Sequence, residues 1–153
     1  MYNKIFLDKF SKKLCGKSRT GHFEGVLNVV NRFLEIIKPR YIFLGIKDFQ
    51  QCYLINRHIL KKRINTKVIH CKTIRERNGV ACSTRNNHLN KNQFKIASNV
   101  FRYLKKIKKL TQKKISNFKI IKIKNDLINL GIKKIDYIEL YNLKTLKRPK
   151  NKR

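Results

Sequence analysis

Residues 41–71 constrain the fold more than any other part of this chain of 153 residues. Tyr41-Ile42-Phe43-Leu44 is a short apolar run that ends at Gly45, and Val68-Ile69-His70-Cys71 is a second one. Between them Phe49, Cys52, Ile55 and Ile59 recur at helical spacing. The basic run Lys61-Lys62-Arg63 then places cations where a helix C-terminus favours them. Two short buried strands around one helix make a βαβ unit, which demands parallel strands and a right-handed crossover. Ahead of it, Phe23, Val26, Leu27, Val30, Phe33, Leu34 and Ile37 form one broad inward stripe on a helix that begins near His22. Pro39 ends that helix. Ligands of open parallel sheets bind beyond the C-terminal strand ends, which here is the junction at residues 45–51.

The pattern changes after residue 73. Asn78-Gly79 predicts a tight turn between short extended pieces. Asn90 with Gln93 three residues later predicts a capping box, and Phe94, Ala97, Phe101, Leu104 and Ile107 supply the apolar face of the helix that follows. Ile120, Ile123, Leu127 and Leu130 mark a further helix, with Gly131 as its left-handed cap. Asp136-Tyr137-Ile138-Glu139-Leu140-Tyr141 alternates like a half-buried strand, and residues 144–153 form a basic tail expected to fray. The reading is therefore a βαβ portion to about Thr73, then a small α+β portion over residues 74–153.

Composition narrows the function classes. A hydrophobic content of 41% is too high for a disordered chain, and the length suits one ordinary domain or two small ones. No apolar run reaches the roughly 18 residues that span a bilayer, and the N-terminus has no signal-peptide core. A cytoplasmic protein without a membrane partner is expected. The 39 Lys and Arg against 8 Asp and Glu, a formal +31, would suit a polyanion partner. The lysines are scattered over the polar faces of ordinary amphipathic helices, however, and the richness in Lys, Asn and Ile fits a genome biased toward A and T. No specific nucleic-acid partner is expected. Cys15, Cys52, Cys71 and Cys82 form no C-x-x-C pair and have no histidine at zinc-finger spacing, so reduced thiols and no protein metal site are expected.

Three polar clusters carry the chemistry. Gly16-Lys17-Ser18-Arg19-Thr20-Gly21-His22 runs into a helix start, where backbone N–H groups and Arg19 offer donors to an anion. Gly45-Ile46-Lys47-Asp48-Phe49-Gln50-Gln51 sets Lys47 and Gln51 four apart at a helix N-terminus beyond a strand. Ala81-Cys82-Ser83-Thr84-Arg85-Asn86 offers two hydroxyls and a fixed cation to a phosphate chain. Each cluster alone reads equally well as loop geometry, with Asp48 as an N-cap and residues 81–87 as a lead into the Asn90 cap.

Their order and spacing resemble one family. Arg19-Thr20-Gly21-His22-Phe23 followed by Gly25-Val26 is similar to the R-P-G-H-F-x-G-V segment of pantothenate synthetases. Residues 45–51 resemble the family's G-x-K-D-F-Q-Q, and residues 74–86 resemble V-R-E-x-D-G-L-A-x-S-S-R-N. The resemblance runs over residues 15–89 and more loosely to Tyr141. It implies an α/β fold: a partial Rossmann-like parallel sheet, as in class I aminoacyl-tRNA-synthetase-like nucleotidyltransferases, over residues 1–73. A small α+β C-terminal domain would follow over residues 74–153. The implied activity is ATP-dependent condensation of pantoate with β-alanine through a pantoyl adenylate, with Mg²⁺ assisting and AMP and pyrophosphate released.

Carried over by motif, Lys47 contacts phosphate, Gly45 and Asp48 the ribose, and Gln51 the pantoate. Ile74 and the Cys82 backbone lie near the adenine, and Ser83, Thr84 and Arg85 hold the triphosphate, with Lys47, Ser83 and Arg85 as catalytic residues. Arg19 and His22 support the site. Thr20, Ile46, Asn78 and Thr84 depart from the family's usual Pro, Glu or Gln, Asp and Ser. The family's N-terminal H-x-G-H segment and its closing strand have no counterpart here. The expectation is an internal piece that works with the missing section and, in full-length members, as a homodimer. An inactive remnant and a basic nucleic-acid-binding protein are the alternative readings.

Overall fold

The computed structural model describes residues 4–115, 119–143 and 145–149; Lys144 and residues 150–153 of the expected tail lie outside them. The chain divides into two compact units, Met1–Thr73 and Ile74–Arg153.

In the first unit a single-turn helix α1 (Cys15–Ser18) precedes α2 (His22–Ile37). Strand β1 (Tyr41–Gly45), a 3-10 turn (Ile46–Asp48), helix α3 (Phe49–Lys61) and strand β2 (Lys67–Cys71) complete it. The strands pair in parallel, in a register that sets Tyr41 opposite Lys67 and Gly45 opposite Cys71. The end of α2 is local chemistry. Lys38 turns left-handed with φ 48° and returns its N–H to Leu34 O, and Pro39 has no N–H with which to continue the ladder. The core joins Leu27 and Leu34 of α2 to Ile55 and Ile59 of α3, with Ile42, Leu44 and Val68 of the strands packed on them. Full burial of one such side chain stabilises by about 1.5–3 kcal/mol, so these four anchor the unit.

Burial is narrower than the sequence pattern implies. Phe33 and Ile37, on the stripe expected to face inward, are exposed, and so are Tyr41 and Phe43 of the strand expected to be buried. Two strands and one partner helix cannot cover so wide an apolar surface.

The second unit begins with a tight antiparallel turn. Arg75 bridges Ala81, Gly79 N–H donates to Glu76 O at 2.8 Å, and Glu76 N–H to Val80 O at 2.8 Å. A 3-10 turn (Thr84–His88) leads to α4 (Lys91–Lys113), and α5 (Ile120–Asn129) follows. The capping box forms as expected: Gln93 N–H donates to Asn90 Oδ1 and Asn90 N–H to Gln93 Oε1, each at 2.9 Å. Gly131, with φ 99°, closes α5; its N–H donates to Ile128 O and that of Ile132 to Leu127 O, the paired hydrogen bonds of a Schellman motif. The turn is pinned to α4 by the Ser98 hydroxyl, which donates to Asn78 O at 2.7 Å, and by the Arg75 guanidinium 4.1 Å over the Phe101 ring. Tyr103 of α4 donates to the Asp126 carboxylate of α5, and burial followed by that bond pushes its phenol up to about 12. The strand expected over residues 136–141 is not formed; the segment is irregular and has no ladder partner among the described residues. Alternation makes a face, but a strand exists only when a neighbour takes up its N–H and C=O groups.

Candidate active-site loops

Gly45, Lys47, Asp48 and Gln51 share one junction in the first unit, Arg19 and His22 stand at the start of α2, and Ile74, Cys82, Ser83, Thr84 and Arg85 follow one another in the second unit. In the first unit the C-terminal end of β1 delivers Gly45, the 3-10 turn carries Lys47 and Asp48, and the first turn of α3 carries Gln51. This is the strand-to-helix junction where open parallel sheets bind ligands. Lys47 and Asp48 are exposed, with Nζ 3.6 Å from Oδ1, a pair contributing less than about 1 kcal/mol and easily separated by an incoming ligand. Asp48 stands at the N-cap position but accepts no capping hydrogen bond, so its carboxylate is not committed to the helix. The junction is held from below. The Cys52 thiol donates to Gly45 O at 3.2 Å, and burial, followed by the nearby Asp48 charge, pushes that thiol up, keeping it a neutral donor.

Gln50 is the residue that sequence reasoning missed. It is buried, and its amide donates to Phe10 O at 2.8 Å and Lys13 O at 2.7 Å while Oε1 accepts from Cys15 N–H at 3.1 Å. One side chain thus ties the segment ahead of the Arg19 loop to the first turn of α3. Gln50, Leu54 and His58 recur at i, i+4 and i+8 and are all buried, a signal hidden because two of the three are polar. Gly16 belongs to the same tie: a Cβ there would lie 1.6 Å from Ser11 O, so no other residue fits without moving the backbone. Arg19 is exposed just before α2, and His22 is half-buried at its first position with its ring 5.0 Å from that of Phe23.

In the second unit Ile74 and Cys82 are joined by the bond from Cys82 N–H to Ile74 O at 3.0 Å, which brings the two expected adenine neighbours together. Ser83 caps the 3-10 turn; its Oγ accepts from Arg85 N–H at 3.3 Å, which leaves the hydroxyl proton available to an acceptor. Asn86 buttresses the turn by donating to Ala81 O at 3.0 Å. Ser83, Thr84 and Arg85 are exposed on consecutive positions. A hydroxyl pair and a guanidinium on one fixed turn suit a polyphosphate. Among the described residues no group of three or more His, Cys, Asp or Glu is placed to hold a metal ion, and no helix is long and apolar enough to cross a membrane.

A family model described as pantoate-beta-alanine ligase matches residues 1–153, the whole chain. The chain belongs to the pantoate–β-alanine ligase family. The family's pantothenate synthetase from Fervidobacterium nodosum is 36% identical over 148 residues, covering 94% of this chain and 52% of that protein. A bifunctional pantoate ligase/cytidylate kinase from Prochlorococcus marinus (strain AS9601) is 39% identical over 144 residues, covering 93% of this chain and 28% of that one. The ligase from Francisella tularensis, solved in complex with beta-gamma ATP and beta-alanine, superposes with a TM-score of 0.75 at 33% identity, covering 92% of this chain and 51% of that chain. The synthetase from Thermus thermophilus, with a TM-score of 0.80 at 22% identity, shares the fold; the match covers 97% of this chain and 55% of that chain. Against these single-function relatives the chain spans about half the length.

Proposed function

We propose that this chain supplies the phosphate- and pantoate-handling loops of an ATP-dependent pantoate–β-alanine ligase, acting together with the section of the family that precedes it. The reading rests on one observation above all: Gly45, Lys47, Asp48 and Gln51 stand in a single braced junction at the C-terminal end of a parallel strand. The ATP and β-alanine held by the Francisella tularensis relative support the same substrates here. In this reading the pantoate carboxylate, oriented by Gln51, attacks the α-phosphorus of ATP. An O–P bond forms, the bond to the bridging oxygen breaks, and pyrophosphate leaves. Lys47, Ser83, Thr84 and Arg85 neutralise charge growing on the phosphate oxygens, and Gly45 and Asp48 hold the ribose. The amine of β-alanine then attacks the acyl carbon, AMP departs with the former carboxylate oxygen, and the nitrogen loses a proton to give the amide. Ile74 and the Cys82 backbone flank the adenine, and Arg19 and His22 brace the site. Mg²⁺ comes with the triphosphate, the usual way this tightly hydrated cation is held. Chemistry of this kind needs alignment and electrostatics more than a covalent catalyst.

The test is pantoate-dependent exchange of labelled pyrophosphate into ATP, in a preparation containing the complete catalytic unit. Lys47→Ala is expected to lower exchange by about 100-fold, the scale of losing one cation at a developing charge. Wild-type exchange in that variant would remove Lys47 from the mechanism.

A further inference from the structure

Helix α4 carries eight cations in its 23 residues and no acid. At 3.6 residues per turn, positions 91, 95, 98, 102, 106, 109 and 113 lie one above another within an arc of about 80°. Six of them are Lys91, Lys95, Arg102, Lys106, Lys109 and Lys113, and all six are exposed. The seventh, Ser98, is 4% exposed: its hydroxyl donates to Asn78 O, and the turn that covers it carries Arg77, also exposed. Every solvent-facing position of the arc is thus a cation. From Lys91 to Lys113 the ridge runs about 33 Å.

The ridge is uncompensated. None of its six cations pairs with an acid among the described residues. Asp126 of α5 accepts from Tyr103, while Asp136 and Glu139 are taken by Lys134 and Arg148. By contrast α2 mixes its signs, with Arg32 beside Glu35. Like charges at i, i+3 and i, i+4 destabilise a helix, and a polyanion laid along them reverses that effect.

We propose that this ridge is a docking surface for the phosphate backbone of a nucleic-acid duplex, held without regard to base sequence. A duplex carries one phosphate charge per about 1.7 Å of axis, so the ridge runs beside about 20 of them. Contacts to phosphate position a protein and carry no base information. The arc holds no aromatic ring on which unpaired bases could stack, which favours a duplex over a single strand. A lipid surface fits less well, because a helix lying on one sinks its apolar face among the head groups. That face of α4 is engaged within its own unit, with Tyr103 bound to Asp126 and Phe101 beneath Arg75. The surface rests on α4 and does not require the ligase reading: Lys106, Lys109 and Lys113 stand at the end of α4 away from the turn of Ser83, Thr84 and Arg85.

The experiment measures binding of the full chain to labelled duplexes of about 24 base pairs, one DNA and one RNA, by fluorescence anisotropy between about 50 mM and about 200 mM NaCl. Both are expected to bind, the tighter marking the natural source, with log K falling against log salt at a slope of about −5, as six phosphate contacts require. Replacing Lys106, Lys109 and Lys113 together by Gln is expected to weaken binding at least about tenfold and to flatten the slope by about 3. Replacing the exposed Lys61, Lys62 and Lys67 of the other unit by Gln removes the same charge and leaves the slope unchanged. Gln is a good helix former, and circular dichroism checks that α4 persists. Arg at the same three positions of α4 keeps both charge and binding. Absence of binding at about 100 mM NaCl, equal flattening by the two Gln variants, or tighter binding to a single strand or to phosphatidylserine vesicles would each overturn the proposal.

Discussion

His58 sits fully buried in α3 with both ring nitrogens engaged. Nδ1 accepts from Phe6 N–H at 3.0 Å, so Nε2 carries the proton and donates to Asn31 Oδ1 at 2.9 Å; the Asn31 amide in turn donates to Glu35 at 2.9 Å. Burial first, then the Lys62 charge, holds this imidazole below the ordinary histidine range, with Glu35 opposing. The folded state therefore binds fewer protons than the unfolded one, which titrates near pH 6.5, and stability rises with pH. The His58 contribution is complete above about pH 6.5 and is lost as pH falls from there toward the depressed folded value. Urea midpoints taken between about pH 7.5 and about pH 5 should fall, and His58→Gln should flatten that slope. Gln50 makes a second prediction at this scale. Gln50→Ala removes three hydrogen bonds and should cost about 2 kcal/mol by urea unfolding. Neither residue was legible in the sequence, because their partners stand 27 to 52 positions away.

At the scale of elements, ends are local and were readable. Asn90 and Gln93 satisfy each other three residues apart, and Gly131 supplies the left-handed conformation that Leu130 cannot adopt cheaply. Asn90→Ala should cost about 1 kcal/mol and shorten α4 from its first turn, visible as lower helicity and a lower Tm. Gly45, Lys47, Asp48 and Gln51 were likewise readable as a junction, because a strand end, a turn and a helix start are consecutive in the chain. The strand expected over residues 136–141 was not, since alternation records a half-buried face and is silent about a ladder partner.

For the whole molecule, charge is the large term. Acidic Asp8, Glu35, Asp48, Asp136 and Glu139 each pair with a base, yet 8 acids cannot balance 39 bases. Self-repulsion then opposes the compact state, most of all where the Debye length is long. Thermal melts should shift upward as NaCl rises from about 20 mM to about 200 mM, over which the Debye length falls from roughly 20 Å to below 8 Å. A flat or falling Tm would mean that the basic residues stand too far apart to interact.

The sequence by itself determined the helix–strand–helix–strand order of residues 22–71 and the parallel sense of its strands, the caps at Asn90 and Gly131, and the motifs that mark the family. Those rest on dihedral preferences and hydrogen bonds reaching no more than a few residues, and on a crossover rule with one permitted hand. Only the tertiary structure decided which apolar residues are covered. Phe33, Ile37 and Phe43 stay exposed while the polar Gln50 and His58 go inside. Burial is settled by what packs opposite a residue, and that partner is named nowhere in the residue's own neighbourhood.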